Sequence, residues 1–183
     1  MNLILLGGNG IDNKTWIEKV EASLKPLFES TKTIYYDHWQ SGEWMINLDK
    51  EKEKLSEIAK DDGAYVIFAK SVGSLVAVKA IAEKLISPQK CIFVGVPLKW
   101  ARKNNFDIDS WYQNFPTPTM VIQHSNDPFA TSKESLDFFS EKSAQHIKFE
   151  ELPGDTHDYN EFETIQKLVS GFVKQTRRLS CNL

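Results

Sequence analysis

Along this chain, short apolar runs alternate with longer stretches in which apolar and charged positions recur at helical spacing. Runs of four to eight apolar residues bounded by Gly, Pro, Asn or Asp suit strands covered on both faces, and the amphipathic stretches between them suit the covering helices. "NLILLGG" (2–8) reads as the first strand, followed by a helix over 14–28 and a strand "TKTIYYD" (31–37). A charged helix spans 48–60 and is ended by Asp61-Asp62-Gly63. "AYVIFA" (64–69) is the third strand, and 72–86 is its helix. "KCIFVGVP" (90–97) and "TPTMVIQH" (117–124) follow as strands, with an irregular segment holding Trp100 and Trp111 between them. A helix over 132–141, a strand "HIKFEELP" (146–153) and a helix over 161–174 complete the order, and "RRLSCNL" (177–183) is a C-terminal tail. The pattern predicts an α/β fold: a mostly parallel sheet of about six strands with helices on both faces, forming one domain over 1–176.

Composition narrows the partners. With 25 acidic against 22 basic side chains, a net charge of -3 gives no electrostatic reason to bind nucleic acid or an anionic membrane. The lysines of "DKEKEKLSEIAKDD" are interleaved with carboxylates and read as a solvated helix face. The two cysteines, Cys91 and Cys181, make neither a metal spacing nor a disulfide framework, which fits a reducing compartment. The opening "MNLILLGGNG" has no basic region, and its apolar run is too short for a signal peptide or a membrane span, so a cytoplasmic protein is expected. The oligomeric state is not legible in the sequence.

The chemistry is sought where open α/β sheets gather it, beyond the carboxyl ends of the strands. After the first strand comes Gly7-Gly8-Asn9-Gly10, after the third Ala69-Lys70-Ser71-Val72-Gly73, after the fifth "HSNDPFA" with Asp127, and after the sixth "PGDTHDYN" with His157. Serine, carboxylate and histidine thus share one edge of the sheet. A serine hydroxyl becomes a nucleophile when an imidazole removes its proton, and the imidazole needs a carboxylate to fix its tautomer. The Val72 N–H opens a helix and faces the place where an oxyanion would form, and a second donor can come from the Gly8-Asn9-Gly10 loop. A sharp strand-to-helix turn at Ser71 requires small residues two positions to either side, which Ala69 and Gly73 satisfy.

Each residue also has a plainer reading. Ser71 could be the N-cap of the following helix, and Ser74 a packing residue one turn in. His38 could line the cleft, and His124 could shape the loop of Asp127. Asp155 and Asp158 flank His157 but lie too close along the loop to brace its ring easily, whereas Asp107 and Asp109 reach the site only if their segment folds inward. Trp39, Trp44, Trp100 and Trp111 all follow the second and fourth strands, and are either covered core or walls of an apolar pocket. Lys70 is expected to be solvated, or to meet an anionic substrate.

On the A-K-S-V-G turn and the Ser, Asp, His order at three strand ends, the chain resembles the α/β-hydrolase family over nearly its whole length, and small lidless serine hydrolases in particular. Alanine at position 69 departs from the usual glycine, and Asn9 stands where many relatives carry another residue. The resemblance implies Ser71 as nucleophile, His157 as base, Asp127 as acid, and Asn9 and Val72 as backbone oxyanion donors. It further implies hydrolysis of an ester, thioester or amide through an acyl-enzyme, with no metal or organic cofactor, and the short segments 98–116 and 38–47, with their tryptophans, point to a small acyl group as substrate. The alternative reading is a catalytically silent binding module on the same fold. A dinucleotide-binding domain is the poorer fit, because "GGNG" lacks the G-x-G-x-x-G arrangement.

Overall fold

A computed structural model describes residues 1–142 and 146–174; the tail over 177–183 lies outside these residues. Strands β1 (Asn2–Leu6), β2 (Thr31–Ile34), β3 (Tyr65–Lys70), β4 (Lys90–Val94), β5 (Thr119–His124) and β6 (Ile147–Leu152) form one sheet in the order β2-β1-β3-β4-β5-β6. Every neighbouring pair is parallel. Because β1 leads outward to β2 and the chain then returns to β3 on the other side, the connections diverge between β1 and β3. Open sheets form their binding crevice at such a point.

The strands alternate their side chains between two cores. Leu3, Leu5, Val66 and Phe68 face α1 (Asp12–Leu24) and α8 (Phe162–Lys174), packing on Trp16, Ile17, Ile165 and Val169. Ile4, Leu6, Ile67 and Ala69 face the opposite layer, α3 (Leu48–Lys60), α4 (Val72–Ala82) and α7 (Ser132–Glu141), through Leu55, Leu75, Val76 and Phe138. The central strands are buried on both faces, which is why they read as continuous apolar runs rather than as alternation.

Several boundaries differ from the pattern, each for a local reason. Helix α4 ends at Ala82 rather than near 86. Lys84 takes the left-handed conformation (φ 59), Leu85 N–H bonds the Ala80 carbonyl at 2.9 Å and Lys84 N–H the Ile81 carbonyl at 2.9 Å. This is a Schellman end built on lysine, so no glycine announced it. The chain leaves the edge strand β2 at Ile34 and winds a short helix α2 (His38–Ser41), closed by Gly42 at φ 76. The segment after β4, predicted irregular, contains α5 (Leu98–Lys103) and α6 (Ile108–Trp111). Helices α3 and α7 keep their predicted bounds, with caps to match. The Asn47 side chain accepts from Asp49 and Lys50 N–H, and Thr131 with Glu134 forms a capping box.

Candidate active site

Ser71 sits between β3 and α4 at φ 52, ψ -124, a conformation a non-glycine residue holds only when its surroundings impose it. Two constraints impose it. Ser71 N–H remains in the sheet, bonded to the Val94 carbonyl at 2.8 Å. Gly73 lies so close to the end of β1 that an added Cβ would stand 2.6 Å from the Gly7 carbonyl oxygen and 2.9 Å from Leu6 Cβ. The demand for small residues has this cause: α4 starts directly against β1.

The hydroxyl does not cap the helix. Ser71 makes no side-chain cap bond, and its Oγ lies 2.8 Å from His157 Nε2. His157 Nδ1 lies 2.7 Å from Asp127 Oδ2. A carboxylate only accepts, so Nδ1 carries the proton and Nε2 is left to accept from Ser71 Oγ–H. Phe129 meets the His157 ring edge-on, with centroids 4.6 Å apart, and limits its swing. Asp127 is fully buried. Burial alone would raise its carboxyl, but bonds from His157, Tyr159 and the Phe129 N–H outweigh that and hold it below the usual carboxylate range.

Of the rival carboxylates, Asp107 caps α6 by accepting from Ser110 N–H at 3.2 Å, and Asp109 pairs with Lys142 at 2.6 Å. Asp158 lines, with Lys70, a crevice that adjoins the Ser71 cleft at Gly10 and Asn13. His38 is not a cleft wall; its Nε2 donates to the Asn9 carbonyl at 2.7 Å, and Trp39 Nε1 donates to the same oxygen at 2.9 Å. The Asn9 side chain accepts from Ile46 N–H at 3.0 Å and donates to the Trp44 carbonyl at 2.7 Å. The loop after β1 is thereby fixed on both sides. Asn9 and Val72 both line the cleft at Ser71, and Val72 opens α4, where a backbone N–H has no intrahelical acceptor. His124, at the end of β5 and expected to shape the loop of Asp127, donates instead from its Nδ1 to the Thr156 carbonyl at 2.8 Å, in the loop that carries His157. Ser74, fully buried, bonds the Ser71 carbonyl at 2.6 Å.

The cleft has a volume of about 270 Å³ and is walled on its apolar side by Val72, Pro97, Trp100 and Phe129. Of the four tryptophans only Trp100 stands there. Trp39 is spent on the Asn9 carbonyl, and Trp44 is 76% exposed. Trp111 lines a larger groove of about 610 Å³ that shares no residue with the Ser71 cleft. Residues on α2 and α6 follow strands in sequence yet are carried past the cleft by their short helices, so proximity to a strand end misplaces them. Phe129 and Tyr159, in loops, and Asn13, in the first turn of α1, carry no pattern of their own in the sequence, because an apolar ring, a phenol or an amide at such places announces no role.

Lys70 departs from expectation as well. It is 5% exposed, not solvated, and its Nζ donates to Asn13 Oδ1 at 2.9 Å and lies 4.8 Å from the Trp16 ring centroid. Burial, opposed by attraction to Asp158 and Asp127, pulls its ammonium down to about 8. Asn13 in turn donates to the Gly10 carbonyl at 3.1 Å, so Lys70 is tied to the loop after β1. Among the described residues, no group of three or more His, Cys, Asp or Glu side chains is placed to hold a metal ion. None of their helices is long and apolar enough to cross a membrane.

Ser71, His157 and Asp127 thus form one hydrogen-bonded chain at the mouth of an apolar cleft, at the carboxyl edge of a parallel sheet. The sequence model of an alpha/beta hydrolase domain matches residues 40–178, so the chain belongs to the alpha/beta hydrolase family. No curated protein matches it. Among solved structures, it is similar to Est1E from Butyrivibrio proteoclasticus with ferulic acid bound, at a TM-score of 0.75 and 15% identity, covering 95% of this chain and 88% of that one. The Pyrococcus furiosus esterase Pf2001 is similar at a TM-score of 0.75 and 16% identity, over 95% and 82%. A Paleococcus ferrophilus monoacylglycerol lipase is similar at a TM-score of 0.64 and 12% identity, over 93% of each chain.

Proposed function

We propose that this hydrolase cleaves a small ester, thioester or amide through an acyl-enzyme on Ser71. The reading rests on one observation: a serine held in a strained turn with its Oγ 2.8 Å from an imidazole that a buried carboxylate holds from behind. In the first half-reaction Ser71 Oγ attacks the acyl carbon while its proton passes to His157 Nε2. The oxygen that takes up negative charge is met by the N–H groups of Asn9 and Val72. The carbon–leaving-group bond then breaks as His157 returns that proton to the departing oxygen, sulfur or nitrogen. In the second half a water takes the leaving group's place, giving its proton to His157, and the acid departs as Oγ recovers its proton. Asp127 stays ionised throughout and stabilises the imidazolium.

The cleft volume, with Trp100 and Phe129 as its apolar walls, supports a short or single-ring acyl group. The structurally similar Est1E holds ferulic acid, itself a small carboxylic acid. A cytoplasmic setting goes with this reading, supported by a free, buried Cys91. A fluorophosphonate probe should label Ser71, and Ser71→Ala should abolish labelling and esterase turnover down to the residual rate that oxyanion donors alone sustain. Labelling of a different serine would remove Ser71 from the mechanism, and an unlabelled wild type would replace this reading with that of a silent binding scaffold.

A further inference from the structure

Asp127 is held by more than its histidine. Tyr159 Oη lies 2.7 Å from Asp127 Oδ2, the same oxygen that receives His157 Nδ1–H. The direction of the phenol proton is determined by its other neighbour: His124 N–H donates to Tyr159 Oη at 2.9 Å. A phenol has a single proton, and with an N–H already pointing at its oxygen that proton goes to Asp127. We infer that Tyr159 is a positioning residue of the proposed acyl-transfer site, its O–H sharing the Asp127 charge with His157 and so setting how strongly the carboxylate holds the imidazolium.

The fold is shaped around this contact. Tyr159 is fully buried and sits at φ 55, a left-handed conformation that a bulky side chain adopts only under constraint. Its backbone is pinned by Trp16 Nε1, which donates to its carbonyl at 3.0 Å, and its ring stacks on His124 with centroids 4.0 Å apart. Room for the ring comes from β4. Gly95 follows that strand at φ 62, and a Cβ there would stand 2.6 Å from Tyr159 Cε2 and 3.0 Å from His157 Cε1. Burial holds the phenol far above its ordinary range, so it remains a donor at every working pH. The other ionisable groups around the cluster are His124, Glu161 (3.3 Å from His124 Nε2), and Lys70, whose ammonium feels both Asp127 and Asp158. The side chains that bond the Asp127 carboxylate directly are His157 and Tyr159.

The sign of the effect follows from the shared oxygen. A donor on Oδ2 withdraws charge from the bond to His157, so its removal leaves a carboxylate that holds the imidazolium more tightly. A stronger donor does the reverse. Tyr159→Phe and 3-fluorotyrosine placed at position 159 therefore push in opposite directions. The pH midpoint of the His157 ring, followed by NMR in the free protein, should move up by about half a pH unit in the first and down in the second. The midpoint of the kcat/KM profile should move the same way in each variant, with KM unchanged. A purely structural tyrosine would shift stability but not produce opposite displacements. Absence of displacement, or displacement in one direction for both, overturns the inference. If Tyr159→Phe does not fold, the fluorotyrosine arm decides alone. The NMR readout needs no turnover, so a wild type unlabelled at Ser71 would defeat the hydrolase reading while leaving this bond still measurable.

Discussion

Lys70 offers a direct test of how the fold treats a buried charge beside the nucleophile. Its ammonium is 5% exposed, makes one hydrogen bond, to the Asn13 amide oxygen, and has no carboxylate at ion-pair distance among the described residues. The folded protein therefore favours the neutral amine, and the ammonium is pulled from 10.5 to about 8. Below pH 8 both folded and unfolded chains carry the proton, and the fold bears the whole penalty of burying it. Between about pH 8 and 10.5 the folded chain has released the proton while the unfolded chain retains it, so stability climbs with pH. At roughly 1.4 kcal/mol per pH unit, the interval from 10.5 to about 8 corresponds to a gain of about 3 kcal/mol. Urea unfolding followed by circular dichroism at intervals from pH 7 to 11 would measure it, with Lys70→Met as the reference because methionine keeps the apolar stem without the charge. Lys90, which burial also lowers, titrates in both proteins and cancels in the difference. The wild type should gain on Lys70→Met as pH rises through this window. Parallel curves would mean that the ammonium is solvated or paired, and the argument from burial would fail.

Further outcomes follow from the site itself. Asp127→Asn should lower kcat by on the order of 10⁴ with the fold intact, since an amide at Oδ2 no longer fixes the Nδ1–H tautomer; a loss under about tenfold in steady-state assays would remove Asp127 from the mechanism. Because its carboxyl is held low in the folded state, the stability that Asp127 contributes should be present above about pH 4 and be lost on further acidification, and the Asn variant should lack that acid step in an unfolding series. Aryl esters should be hydrolysed with kcat/KM rising only until the acyl group fills about 270 Å³, without activation at an interface, and Trp100→Ala should displace the optimum toward longer chains. A monotonic rise to long-chain esters in the wild type would refute the pocket assignment.

The order of elements was legible because a doubly covered parallel sheet leaves little freedom. Its strands must be continuous apolar runs such as "YVIF" and "CIFV", and its covering helices must be amphipathic, so both periods stand out. Ser71, Asp127 and His157 were legible for a related reason. Reactive groups of such sheets collect at strand ends, and three of the strands end in a serine, an aspartate and a histidine. The small residues at 69 and 73 carried the strained turn, though the reason for Gly73 is a contact with β1, more than sixty positions upstream.

What only the tertiary structure decided concerns residues whose partners lie far away in sequence. Lysine at 70 has the same composition value whether solvated or enclosed; the approach of Trp16 and Asn13 from α1 encloses it. Four tryptophans after two strands were equivalent by pattern; α5 brings Trp100 to the cleft, α2 and α6 turn Trp39 and Trp111 away, and Trp44 stands exposed in the loop beyond α2. Tyr159 looked like any loop tyrosine until the ends of β4 and β5 brought Gly95, His124 and Asp127 around it. Hydrophobic period encodes which face of an element is buried. It does not encode which distant polar atom will stand 2.7 Å away, and that contact arises only when the strands have packed in their final order.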